Sequence, residues 1–193
     1  MINTRWLQRG SMFVLSQPQF LKLIQEENGW VAESLLDLGA GDGKVTAHLA
    51  PMFQKVYATE VCNTMSILEL ENWHEERKFD LISCLNLIDR CDKPLEILQN
   101  IKTSLKPDGR LLLAVVLPFS PYVESGSPYN KPEELLPIKG QTFESQVQSV
   151  IEDVFIPSGF SVISWSRIPY LCEGDLQQSY YWLEDAIFVL KVA

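Results

Sequence analysis

Short apolar runs alternate with amphipathic stretches along most of the chain. Positions 35–38 (LLDL) are nearly continuous in apolar residues, the pattern of a strand buried on both faces. A helix opens at Lys44 (KVTAHLA), and 55–60 (KVYATE) reads as a second strand. The stretch 61–78 is acidic, with Glu69, Glu71, Glu75 and Glu76, and is short for the helix, strand and connection that the alternation calls for. A strand follows over 79–85 (FDLISCL), then a helix over 94–105 with Pro94 in its first turn. Positions 106–110 (KPDGR) predict a turn and 111–117 an apolar, central strand. The segment 118–141 is rich in Pro, Ser, Gly and Tyr, which predicts a long functional loop. A helix over 143–156 ends at Pro157-Ser158-Gly159, 160–166 is a strand, 167–179 a loop, and 180–192 the final strand. Ahead of all this, 18–27 predicts a short amphipathic helix with Phe20, Leu21, Leu23 and Ile24 on its apolar side and Asn28-Gly29 at its end. It is placed either to cover a cleft or to pack on the sheet. The order argues a seven-stranded α/β sheet with helices on both faces and one antiparallel strand. One domain is expected, with a helical cover over 1–33 and the core over 34–193.

The join between the first strand and helix carries the chemistry. Asp37 lies near the strand end, and Gly39, Gly41 and Gly43 alternate through the turn. Such a turn lets backbone approach a ligand closely. A dinucleotide fingerprint wants glycines at the first, third and sixth positions, but the sixth here is Lys44. No Lys-Ser or Lys-Thr follows as a P-loop requires. The G-x-G-x-G form preceded by an acid resembles motif I of class I (Rossmann-like) S-adenosylmethionine (SAM) methyltransferases. That resemblance implies glycines making room for the methionine part of SAM and an acid meeting its ammonium group.

Glu60 ends the second strand roughly 20 residues past the turn, where an acid can accept from both ribose hydroxyls of a nucleoside. Past the 79–85 strand come Asn86 and Asp89, at the strand ends where doubly wound sheets hold their reactive groups. Asp92 is better spaced than Asp89 to cap the helix that opens near Pro94.

Composition narrows the partners. A formal charge of −9 opposes general nucleic-acid binding, which needs a basic face. The four cysteines (62, 84, 91, 172) form no C-x-x-C pair and the two histidines are scattered, so no metal site is expected. No apolar run approaches the roughly 20 residues of a membrane span, and the first residues lack the apolar middle of a signal peptide.

LLDLGAGDG, YATE, ISCLNLIDRCDKP, LPFSPYVE, KPEELLPIKGQ and RIPYLCEGD occur in this order. On these motifs the chain resembles the DREV family of methyltransferase-like proteins, from about Pro18 to the C-terminus. The animal members of that family are protein-L-histidine N-pros-methyltransferases. The resemblance implies a SAM cofactor leaving as S-adenosylhomocysteine, with Asp37, Gly39, Gly41, Glu60, Asn86 and Tyr170 as contacts. It implies Asp89 against the target imidazole, Asn86 beside it and Tyr181 in the substrate pocket. The implied substrates are proteins with His-x-His motifs in which x is small. A monomer inside the cell is expected, in the endoplasmic reticulum or mitochondrion by family resemblance. The chain departs from the family in the short 61–78 stretch, which bears on the adenine pocket. A small-molecule methyltransferase and a non-catalytic SAM-binding scaffold are the competing readings.

Overall fold

The computed structural model describes residues 12–59, 77–123, 130–173 and 178–193. In chain order the elements are β1 (Met12–Phe13), α1 (Gln17–Ile24), β2 (Ala32–Leu38), α2 (Lys44–Leu49), β3 (Phe53–Thr59) and β4 (Phe79–Leu85). There follow α3 (Pro94–Ser104), β5 (Leu105–Val116), α4 (Phe143–Ser149) running on as a π-helical turn (Val150–Phe155), β6 (Phe160–Glu173) and β7 (Tyr180–Val192). The seven strands form one sheet in the order β1-β6-β7-β5-β4-β2-β3.

The parallel centre is built by β3, β2, β4 and β5. Leu35 and Leu36 of β2 and Ile82 and Cys84 of β4 are wholly buried, as their apolar runs require. Helices cover both faces. On one, Leu98 and Ile101 of α3 and Val147 of α4 pack with Leu36, Ile82 and Phe188. On the other, Phe20, Leu21, Leu23 and Ile24 of α1 and Leu49 of α2 pack with Leu35, Leu112 and Ile187. Thus α1 packs on the sheet. It stops at Ile24, with Gln25 left-handed (φ 60), a few residues before Asn28-Gly29.

Three expectations are corrected, and a fourth lies mostly outside the described residues. Two strands, not one, run antiparallel to the rest: β7 against β5 and β6, and β1 against β6. The strand expected in 61–78 falls almost wholly outside the described residues, and the two-residue β1 completes the seven. The 106–110 turn does not separate helix from strand. It sits inside β5 as a bulge, Phe79 pairing with Leu105 and Leu81 with Arg110. Nor does β6 end at Ser166. It continues through RIPYLCE because β7 pairs along it to Glu173 and β1 supplies a second neighbour at Leu171 and Cys172. Pro169 lies beyond the reach of β1, where β6 has a neighbour on one side only and proline is tolerated.

Candidate active site

The carboxyl ends of β2, β3 and β4 meet at the glycine turn. Gly39 and Gly41 have φ of 72° and 58°, left-handed values that side chains resist. The amides of Gly39 and Ala40 both donate to Thr59 O at 3.0 Å, folding the turn back onto β3. A Cβ on Gly39 would lie 3.1 Å from Leu87 Cδ1, so the cradle is as narrow as glycine allows. Asp37 is 3% exposed. Thr46 Oγ1 donates to its Oδ2 at 2.5 Å and Ser83 Oγ to its Oδ1 at 2.6 Å, which fixes the carboxylate between α2 and β4.

Asp37, Gly39, Ala40, Val45 and Asn86 line one cleft with Met12 and Val14. The segment before α1, rather than the helix itself, therefore reaches the cleft. A larger hollow of about 260 Å³, with Trp30, Asp80 and Arg110 in its wall, lies at the amino end of the strands. Doubly wound sheets bind ligands at the other end.

Asn86 follows β4 directly and is left-handed, φ 54°. Its Nδ2 donates to Asp185 Oδ2 at 2.8 Å, while its Oδ1 is buried without a partner among the described residues. Asp89 is 2% exposed. Its Oδ2 pairs with Arg90 Nε at 3.1 Å, and its Oδ1 has no partner among the described residues. Burial pushes the Asp89 carboxyl above its ordinary range, with Arg90 pulling the other way. Tyr170, also buried, donates its hydroxyl to Met12 Sδ at 2.6 Å. Desolvation raises that phenol, and the charges of Asp185 and Asp89 add to the rise. Half-buried Tyr181 pairs with Cys172, which pairs with Met12. By strand alternation Tyr181, Tyr170 and Asp185 share one sheet face.

The structure thus gathers Asp37, Gly39, Gly41 and Asn86 around one cleft, with Asp89 and Tyr170 adjoining and Tyr181 farther along β7. Glu60 lies outside the described residues. Asp92 does not cap α3. Its Oδ1 accepts from Glu133 N at 2.7 Å, and Glu134 Oε2 takes the Leu95 and Glu96 amides of the first turn instead. Residues not singled out from sequence are Met12, Thr46, Ser83 and Asp185. Asp185 did leave a signal: an acid sharing the parity of buried Ile187 and Val189 in an apolar strand.

Unpartnered buried acceptors call for donors from a guest. That of Asn86, which lines the cleft with the glycine turn, and that of Asp89, three residues on, suit a ligand with ammonium or N–H groups. Comparison with known proteins agrees. The chain is 28% identical over 144 residues to ubiquinone biosynthesis O-methyltransferase of Actinobacillus pleuropneumoniae serotype 5b (strain L20), covering 60% of this chain and 61% of that one. It therefore spans about three fifths of the curated relatives it matches. In fold it resembles precorrin 8W decarboxylase of Methanobacterium thermoautotrophicum (TM-score 0.53, 17% identity, 91% and 88% of the two chains). It likewise resembles precorrin-6y C5,15-methyltransferase of Geobacter metallireducens GS-15 (TM-score 0.53, 11% identity, 93% and 90%). The DREV methyltransferase description matches residues 2–192, nearly the whole sequence. The chain belongs to the DREV methyltransferase family.

Proposed function

We propose that this enzyme methylates the N-pros imidazole nitrogen of histidine in His-x-His motifs of proteins. The observation that carries the reading is Asp89: a buried carboxylate just past the end of β4, held by Arg90 on one oxygen and with the other unpartnered among the described residues. When bound, SAM supplies an electrophilic methyl on a sulfonium. Asp37 and the Gly39–Gly41 cradle hold its methionine part, Asn86 offers Oδ1 to a donor, and Glu60 takes the ribose. The acceptor needs no strong base, because a histidine of reference pKa about 6.5 is largely neutral near pH 7. It needs the right tautomer and in-line approach. Asp89 Oδ1, accepting the far ring N–H, selects the tautomer whose lone pair faces the methyl. The same carboxylate stabilises the positive charge that develops on the ring. Arg90 keeps it from turning away. Tyr181 stands in the acceptor pocket.

The O-methyltransferase relatives favour a second reading, a small-molecule acceptor. Mass spectrometry of His-x-His peptides incubated with enzyme and SAM decides between them. A 14-dalton gain on histidine supports the protein reading, and unmodified peptide from enzyme that binds SAM rejects it.

A further inference from the structure

Asp185 stands within β7, opposite Val116 of β5 and Ile168 of β6. It is fully buried, and one oxygen, Oδ1, has no partner among the described residues. An acid placed so is costly to keep. Its other oxygen accepts from Asn86 Nδ2 at 2.8 Å. That bond fixes more than a distance. An asparagine amide can present its amino group or its carbonyl with almost no change of shape. An ionised carboxylate only accepts, so it keeps the amino group on its own side and leaves the carbonyl on the other. That carbonyl is the partnerless Oδ1 of a residue lining the cofactor cleft.

We propose that Asp185 is a positioning residue of the methyl-transfer site: ionised, it locks the Asn86 amide with Oδ1 available to the cofactor, and protonated, it releases that lock. The inference rests on the assignment of Asn86 to the cofactor and deepens it. Its pH range follows from the groups facing Asp185. Asn86 and Asp89 come from the segment after β4, and the charge of Asp185 is felt by Tyr170 and Cys172 on β6. Arg90 is turned to Asp89, and the neighbours of Asp185 on β5 and β6, Val116 and Ile168, carry no charge. Burial and the charge of Asp89 push the Asp185 carboxyl up to about 7 against the pull of the Asn86 bond. Once protonated, it has an O–H to donate, and the Asn86 carbonyl becomes as good a partner as the amino group. The lock is nearly complete at pH 8, about half complete near pH 7 and largely lost at pH 6.

The test titrates the full chain with S-adenosylhomocysteine by calorimetry at pH 8 and pH 6, for wild type and Asp185→Asn. The neutral variant neither titrates nor locks the amide, and the ligand's own ionisation is common to both proteins. Wild type is expected to lose roughly tenfold more affinity than the variant between the two pH values, the scale of one hydrogen bond. The variant is expected to bind more weakly already at pH 8. Parallel pH dependences with equal affinity at pH 8 overturn the proposal. Should the variant not fold, the wild-type NMR signals of the Asn86 side-chain amide decide. A titration with its midpoint near 7 supports the lock, and flat signals overturn it. No acceptor peptide is used, so failure of the histidine reading leaves this result standing. Failure of wild type to bind S-adenosylhomocysteine overturns the assignment of Asn86 and this proposal together.

Discussion

Replacing Asp89 by asparagine keeps the side chain's size and removes its charge. Asp89 is 2% exposed, so little water stands ready to replace the lost counter-charge as the imidazolium develops. Removing a buried group aimed at developing charge costs roughly 2.7–4 kcal/mol, or about 10²–10³ in turnover. Two other effects are smaller. Arg90 loses its partner, but its side chain is 47% exposed and water takes over, so the change stays under about 1 kcal/mol. Burial also raises the Asp89 carboxyl, so acid pH removes part of the wild-type advantage by protonating it. The difference is therefore full on the alkaline side, and pH 8 is the condition to use. There the expected result is a fall of about 10²–10³ in methylation of a His-x-His peptide, with S-adenosylhomocysteine affinity by calorimetry unchanged. Near-normal turnover in Asp89→Asn would remove this carboxylate from the transfer step. A matched fall in cofactor affinity would move it to the cofactor side of the cleft.

Glu60→Ala is expected to weaken SAM binding by roughly 1.5–3 kcal/mol through loss of a charge-assisted bond to the ribose, read by calorimetry on the folded variant. Gly39→Ala forces a side chain into φ 72° beside Leu87, and should lower stability by roughly 1–2 kcal/mol in a urea titration. Thr46→Val preserves shape but takes one donor from the buried Asp37 carboxylate, a cost of roughly 1–3 kcal/mol seen as a lower unfolding midpoint.

What could be read in advance follows how local the physics is. β4 coincides with its predicted span because its apolar residues, Phe79, Leu81, Ile82, Cys84 and Leu85, fill most of the seven positions and five of the seven are buried. The glycine turn was legible because its spacing alone sets the backbone. β6 was cut short because IPYLC is apolar on both faces, which hides the alternation. There Ile168 and Tyr170 turn inward while Leu171 is exposed. β1 was missed because two residues carry no pattern, and its partners lie some 160 positions away. The cap on α3 was misassigned for the same reason: the donors of Leu95 and Glu96 go to Glu134, 39 and 38 residues on, rather than to nearby Asp92. Asp185 was legible as a buried acid, but its bond to Asn86 spans 99 residues and only folding reveals it.

The described parts of the loop, 118–123 and 130–141, are sewn to the segment that carries Asp89. Tyr122 N donates to Asp89 O at 2.8 Å, Glu134 N to Asp92 O at 3.0 Å, and the Glu134 carboxylate holds the start of α3. These bonds join the described loop residues, the reactive segment and the helix start, which are therefore expected to open as one unit. Its amides should lose hydrogen-exchange protection together, and an acceptor that orders the loop should slow exchange at Tyr122 without touching it. The free energy of docking an acceptor then also holds Asp89 still, so an acceptor that fits the loop badly would be methylated slowly even when its histidine reaches the methyl group.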